Sequence, residues 1–319
     1  MRAVEWTGNS ELNRADWPAF DDAQLERDAP NKHLQLFEDE ILLARASVWF
    51  DGPRVEANEH TGLIGHYAAS SPEAGQKILE VACDTLRKFG CARVIGPMDG
   101  NTWKSYRLVS EMGSEAPYLL ELRNPLEWNH HFLEAGFEVL ATYHSTLGIN
   151  PEPDPRIPKA RERFAANQIT TRAANPANLE SELAAIYDLA LESFSQNFLY
   201  STIPKEEFLG LYRPVLAKLP PGFTRIAEHD GRAVGFAFAA PDLLRPQMDT
   251  LILKTVGIRK ARVYAGLGAL LADEMHDLAR HAGMTRVIHA LIHDGNVSGK
   301  TSAKTGQIMR RYALYSRTL

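Results

Sequence analysis

Gly266-Leu267-Gly268 and the histidines His289 and His293 are the residues of this chain whose types and spacing fit chemistry most readily. The glycine pair stands between an apolar, partly β-branched run (Leu251, Ile252, Leu253, Val256, Ile258) and the apolar series Ala269, Leu270, Leu271, Met275 and Leu278. The first run reads as a strand, and the second holds one face of a helix apolar. Glycines at such a turn let main-chain N–H groups converge on an anion such as a diphosphate, with the positive end of the helix adding attraction. They serve equally to bring a helix close to a sheet, and two glycines alone do not decide between the readings. His289 and His293 alternate onto one face of the predicted strand Arg286–His293. Their ordinary pKa suits them to move a proton near neutral pH, or to hydrogen-bond inside a core. His130 and His131 are adjacent on a predicted helix and point about 100° apart, so they do not share a metal by themselves. No metal site is expected.

The elements that must position these residues follow from the rest of the chain. Its 319 residues suffice for two domains, and 45% hydrophobic with 24% charged residues is globular composition. Lys plus Arg total 35 against 40 Asp plus Glu, a net charge of -5, which disfavours nucleic acid as the main partner. Cys83 and Cys91 have no metal-like spacing and suggest reduced core thiols in a cytoplasmic protein. No apolar run reaches membrane-spanning length. Residues 1–150 read as one domain, with Ser70-Ser71-Pro72-Glu73 starting a long helix and a short strand at Leu119–Leu122. Pro151, Pro153, Pro155 and Pro158 mark 151–167 as a stiff, extended linker. In 168–319 the expected order is strand, two helices, a hairpin at Asp230-Gly231, the strand before the glycine turn, a helix, a strand, a short helix at Val297–Lys304 and a final strand.

Arg87 to Ile95 parallels Arg280 to Ile288, and Asp99-Gly100-Asn101 parallels Asp294-Gly295-Asn296, each at the same place in the order of elements. The chain therefore reads as two related halves of α/β class, each a mixed central sheet flanked by helices.

This order, with the glycine turn and Asn296 opening the next helix, resembles the GNAT superfamily of acyl-CoA-dependent acyltransferases, in the tandem form with one active and one degenerate half. The resemblance covers both halves, and the second shows the full order. It implies acetyl-CoA or another acyl-CoA as co-substrate, a small-molecule amine as acceptor, and N-acetyltransferase-like chemistry. It implies donor contacts from the strand edge at Val256 and Ile258, from the loop Arg262, Val263, Tyr264, Ala265, Gly266, Leu267, Gly268 and Ala269, and from Asn296. The family's basic loop position is occupied here by Val263, with Arg262 one residue early. The first half's equivalent loop has Pro72 and Glu73 in place of the glycines, so donor binding is expected in the second half only. The loop Asn197 to Tyr200 falls on the acceptor side, which suggests Asn197 and Tyr200 as substrate contacts. The family's carboxylate on the central strand and tyrosine on the following helix are both absent. His293 and His289 are then the candidate bases, and Ser302, one turn from Ser298, a candidate hydroxyl near the leaving sulfur. Two other functions remain open on the sequence: aminoacyl transfer from charged tRNA, and non-catalytic acyl-CoA binding. Homo-oligomerisation is likewise open.

Overall fold

The computed structural model describes residues 1–8, 11–220, 222–295 and 306–319. Ser302 and Asn296, with the expected short helix at 297–304, lie outside the described residues. The first half contributes β1 (Arg2–Glu5), α1 (Asp22–Asp28), β2 (Lys32–Glu38), β3 (Ile41–Trp49), β4 (Thr61–Ala69) and α2 (Pro72–Lys88). It continues with β5 (Arg93–Gly96), β6 (Leu108–Glu111), α3 (Glu127–Glu134) and β7 (Glu138–Ile149). The second half begins with α4 (Ile157–Ala166), β8 (Thr170–Ala173), α5 (Leu179–Phe194) and α6 (Lys205–Leu216). It ends with β9 (Thr224–His229), β10 (Arg232–Pro241), β11 (Thr250–Ile258), α7 (Leu267–His281), β12 (Arg286–His293) and β13 (Gln307–Thr318).

The repeat is structural. Gly90 after α2 and Gly283 after α7 both take positive φ (81° and 72°), the left-handed stop that ends a helix before a strand. Each helix then returns to a parallel strand, β4 beside β5 and β11 beside β12.

The two halves share one sheet, in the order β1-β2-β3-β4-β5-β13-β7-β12-β11-β10-β9-β8, with β6 against β13. The last strand of each half is exchanged. β13 pairs with β5 of the first half, and β7 pairs with β12 of the second. They meet each other in an antiparallel ladder that sets Tyr312 opposite Tyr143. Ala313 and Tyr315 thus pack in the first half's core with Ile78, Phe132 and Trp128. The second half's core forms under α7 around Leu251, Leu271 and Met275.

Two sequence expectations need correction. Residues 157–166 form α4 rather than an extended linker: Pro158 occupies the first turn, where a helix needs no N–H donor, and Ile157 and Phe164 are buried. Leu119–Leu122 is not a strand; the strand of this region is β6, which pairs with β13, and the Leu119 N–H is instead held by Asp242 Oδ1 at 2.9 Å. Among the described residues no helix is long and apolar enough to cross a membrane.

Candidate active site

β11 and β12 pair from Thr250↔Arg286 to Leu253↔His289 and then part. Both strands continue, so a wedge opens between them, about 270 Å³ and lined by Lys254, Thr255, Val256, Leu291 and His293. Two irregularities hold it open. Opposite β10, Phe238 pairs with Thr255 while its neighbour Ala239 pairs with Leu253, so Lys254 is the extra residue of a β-bulge. On β12, Leu291 takes φ +58° where the ladder to β7 skips, and Ser145 Oγ accepts its N–H at 3.0 Å.

The same two strands of the first half behave differently. β4 and β5 also part early, but the chain after β5 fills their wedge. Met98 N–H donates to Ile64 O at 2.8 Å, and Asp99 Oδ1 accepts the His66 N–H at 2.7 Å. A Cβ on Gly65 would overlap the Met98 carbonyl, so nothing further enters there. The N-terminus of α2 is capped by its own Ser71, which accepts from Ala74 N–H at 3.2 Å.

Past the wedge of the second half, the glycine turn feeds α7. Gly266 sits at φ +86°, which a side chain rarely tolerates, and a Cβ on Gly268 would rest 3.6 Å from Val256 and Ile258. The N–H groups of Leu267 and Gly268, in the first turn of α7, have no intrahelical acceptor. Arg163 of α4 arrives beside them, donating from Nη2 to the Ala265 carbonyl. Free first-turn donors, a helix N-terminus and a guanidinium make a fit cradle for a diphosphate. Arg262, Val263 and Tyr264 form a short 3-10 turn, and the Tyr264 hydroxyl meets His229 Nδ1 at 3.0 Å. Ile258 N–H is taken by Ser193 Oγ at 2.9 Å. Backbone donors alternate along a strand, so the Val256 N–H two residues earlier faces the same side, into the wedge.

Lys254 is the residue that sequence reasoning passed over. It lines the wedge, an adjoining 290 Å³ lobe, and the 590 Å³ cleft between the halves. Among the described residues its ammonium has no hydrogen bond or ion pair. Burial, reinforced by Arg107 and opposed by Glu121, lowers its pKa to about 7. The signal was available: it is the one charged residue in Thr250–Ile258.

His293 lies on the far side of the wedge, edge-on to Tyr143 (5.0 Å) and stacked on Phe198 (5.4 Å). Its Nδ1 accepts the Gly295 N–H at 3.1 Å, and burial lowers its pKa. His289 also borders the wedge, but its Nε2 meets His276 Nε2 at 3.0 Å, and burial with the neighbouring imidazole takes its pKa to about 3. The loop carrying Asn197 and Tyr200 lines the middle lobe, where Tyr200 Oη is buried without a partner among the described residues. Trp103 of the first half reaches it, donating from Nε1 to Ser201 O at 2.8 Å. Both halves therefore wall adjoining cavities, which share Tyr106, Lys254 and Thr255 in their linings.

Among solved structures the chain is similar to a GCN5-related glucosamine N-acetyltransferase region of a fungal multi-domain GH3 β-N-acetylglucosaminidase (12% identity, TM-score 0.56, covering 99% of this chain and 38% of that one). It is also similar to a GCN5-related N-acetyltransferase from Sphaerobacter thermophilus (12%, TM-score 0.53, covering 90% and 80%). A third is a tandem GNAT protein from the clavulanic acid biosynthesis pathway (9%, TM-score 0.51, covering 92% and 86%). No family model and no curated protein sequence matches the chain.

Proposed function

The chain has a GNAT-superfamily fold, and from that premise we propose that it transfers an acyl group from acyl-CoA, bound in the second half, to an amine held in the cleft between the halves. The observation that carries this reading is the open wedge between β11 and β12, with Lys254 at its inner end and the glycine turn at its mouth. The first half's plugged wedge supports one donor per chain. Two buried free thiols, Cys83 and Cys91, accord with a cytoplasmic setting.

A bound acyl-CoA supplies the acyl group as a reactive thioester. Leu267 and Gly268 N–H, with Arg163, hold its diphosphate. Val256 N–H hydrogen-bonds the carbonyl oxygen and stabilises charge that develops there. An alkyl amine near pKa 10 arrives mostly protonated, and neutral Lys254 takes that proton. The freed amine attacks the thioester carbon, the C–S bond breaks as the C–N bond forms, the second amine proton passes to the departing thiolate, and Lys254 releases its proton to solvent. His293 is the alternative base, favoured by its place on the same wedge.

Release of CoA thiol on mixing with acetyl-CoA and an amine panel tests the reaction. Lys254→Met should lower turnover about 100-fold or more and leave acyl-CoA affinity near normal. Only neutral Lys254 accepts a proton, so the wild-type rate should climb with pH through about 7 and level above it. If His293 is the base instead, His293→Ala removes the activity and the rise falls below that residue's ordinary pKa of about 6.5. No thiol release with any amine, despite bound acyl-CoA, would make the protein a non-catalytic binder. Release only with charged tRNA would make it an aminoacyl transferase.

A further inference from the structure

Arg107 precedes β6 with φ +73°, its N–H donating to Pro97 O at 2.8 Å. Its guanidinium carbon lies 3.9 Å from the centre of the Tyr106 ring and 4.2 Å from that of Tyr143. The residue is 7% exposed. Neither Nε nor Nη1 has a hydrogen-bond partner, and no carboxylate lies within ion-pair distance among the described residues. The other buried arginines each leave a single nitrogen unpartnered, Nη1 of Arg310 and Nε of Arg45, and engage the rest. Arg310 is paired with Glu121 at 2.8 Å and bonds the Glu115 carbonyl, and Arg45 donates to His66 O at 2.6 Å. A desolvated guanidinium without a counter-charge is costly, and aromatic faces recover only part of that cost because they leave its in-plane donors unused.

Arg107 lines both the cleft between the halves and the lobe beside the Asn197–Tyr200 loop, as Lys254 does. Arg45 and Arg123 line the cleft as well. Its two acids are already committed: Asp99 to the His66 N–H, and Glu121 to Arg310 and the Tyr312 hydroxyl at 2.6 Å. The cleft thus presents more positive groups, Arg45, Arg107, Arg123 and Lys254, than its two acids answer.

We propose that the acceptor amine carries an oxyanion group, a carboxylate or a phosphate, and that Arg107 binds that group while the amine faces Lys254. The identity of the acceptor rests on the acyl-transfer reading; the anion site does not. A planar guanidinium fixed between two rings suits oxyanion recognition, because its donors are oriented before the ligand arrives and little further ordering is needed.

The test is calorimetric titration of the full chain, without acyl-CoA, using matched probes: β-alanine against β-alaninamide, and phosphoethanolamine against ethanolamine. The expected result is that at least one anionic member binds wild type and its neutral partner does not. Arg107→Gln should weaken that binding about 30-fold, with Arg107→Lys between the two. The pair that binds identifies carboxylate or phosphate. With acetyl-CoA added, Arg107→Gln should raise KM for the anionic acceptor more than it lowers kcat, which a merely structural arginine would not do. Equal binding of charged and neutral partners, binding unchanged in Arg107→Gln, or no binding of either anion at about 10 mM would each overturn the proposal. If Arg107→Gln fails to fold, the wild-type comparison within each pair still decides. Anion binding without any thiol release would retain this site and sink the acyl-transfer reading instead.

Discussion

Lys254 pays for its position in stability. An exposed lysine titrates near 10.4, whereas burial and Arg107 hold this one at about 7. Between those values the unfolded chain binds a proton that the folded chain does not, so stability rises with pH across that window. Below about 7 the folded amine is also charged and the full penalty, on the order of a few kcal/mol, is present. Lys254→Met removes the group with little change of volume. The mutant should therefore melt higher than wild type at pH 6, with the gap closing toward pH 10. A thermal-denaturation series over pH reads this directly, and a gap independent of pH would mean that the amine is solvated in the folded protein. The same substitution is expected to lower turnover about 100-fold or more, so stability and activity move in opposite directions at one residue.

At the scale of elements, what separates the two halves is how each parts its parallel strands. β11 and β12 leave a wedge, and β4 and β5 fill theirs with Met98 and Asp99. Gly268→Glu should abolish acyl-CoA binding while the fold survives. Its Cβ meets only ordinary contacts at 3.6 Å, but a carboxylate there faces the first-turn donors proposed to hold the diphosphate. Calorimetry with acetyl-CoA checks this, expecting one site per wild-type chain and none in the mutant; retained binding would put the donor elsewhere. The glycine turn was legible because strand, Gly-x-Gly and amphipathic helix are local patterns, and so was the capped, proline-bearing start of α2. Lys254 was not, because a period-two reading of Thr250–Ile258 has no means of seeing that a bulge re-aims one residue. Arg163 was missed because four prolines disguised α4 as a linker. Arg107 draws its meaning from Tyr143, on a different strand, and from the absence of an acid, neither of which is written near it in the chain.

For the whole molecule, the exchange of β7 and β13 matters most. The paired halves were visible as a repeat offset, but which sheet a terminal strand joins is decided by long-range pairing that local pattern does not encode. Residues 1–150 alone lack the strand that lies between β5 and β7, and residues 151–319 alone lack the strand beside β12. Each fragment would expose an unpaired edge and part of an apolar core. Expressed singly, both should fail to give cooperative thermal transitions; co-expressed, they should associate and restore one. A cooperative transition from either fragment alone would show that the halves are independent folding units. The same ladder governs how ligands come and go. Two lobes joined by a flexible tether can open and shut like jaws, with affinity reduced by whatever closing requires. Here main-chain ladders join β5 through β13 and β7 to β12, so the lobes are riveted rather than hinged. Traffic into the cavity is left to side chains and loops at its rim, and the width of that cavity is set when the chain folds, not when a ligand arrives.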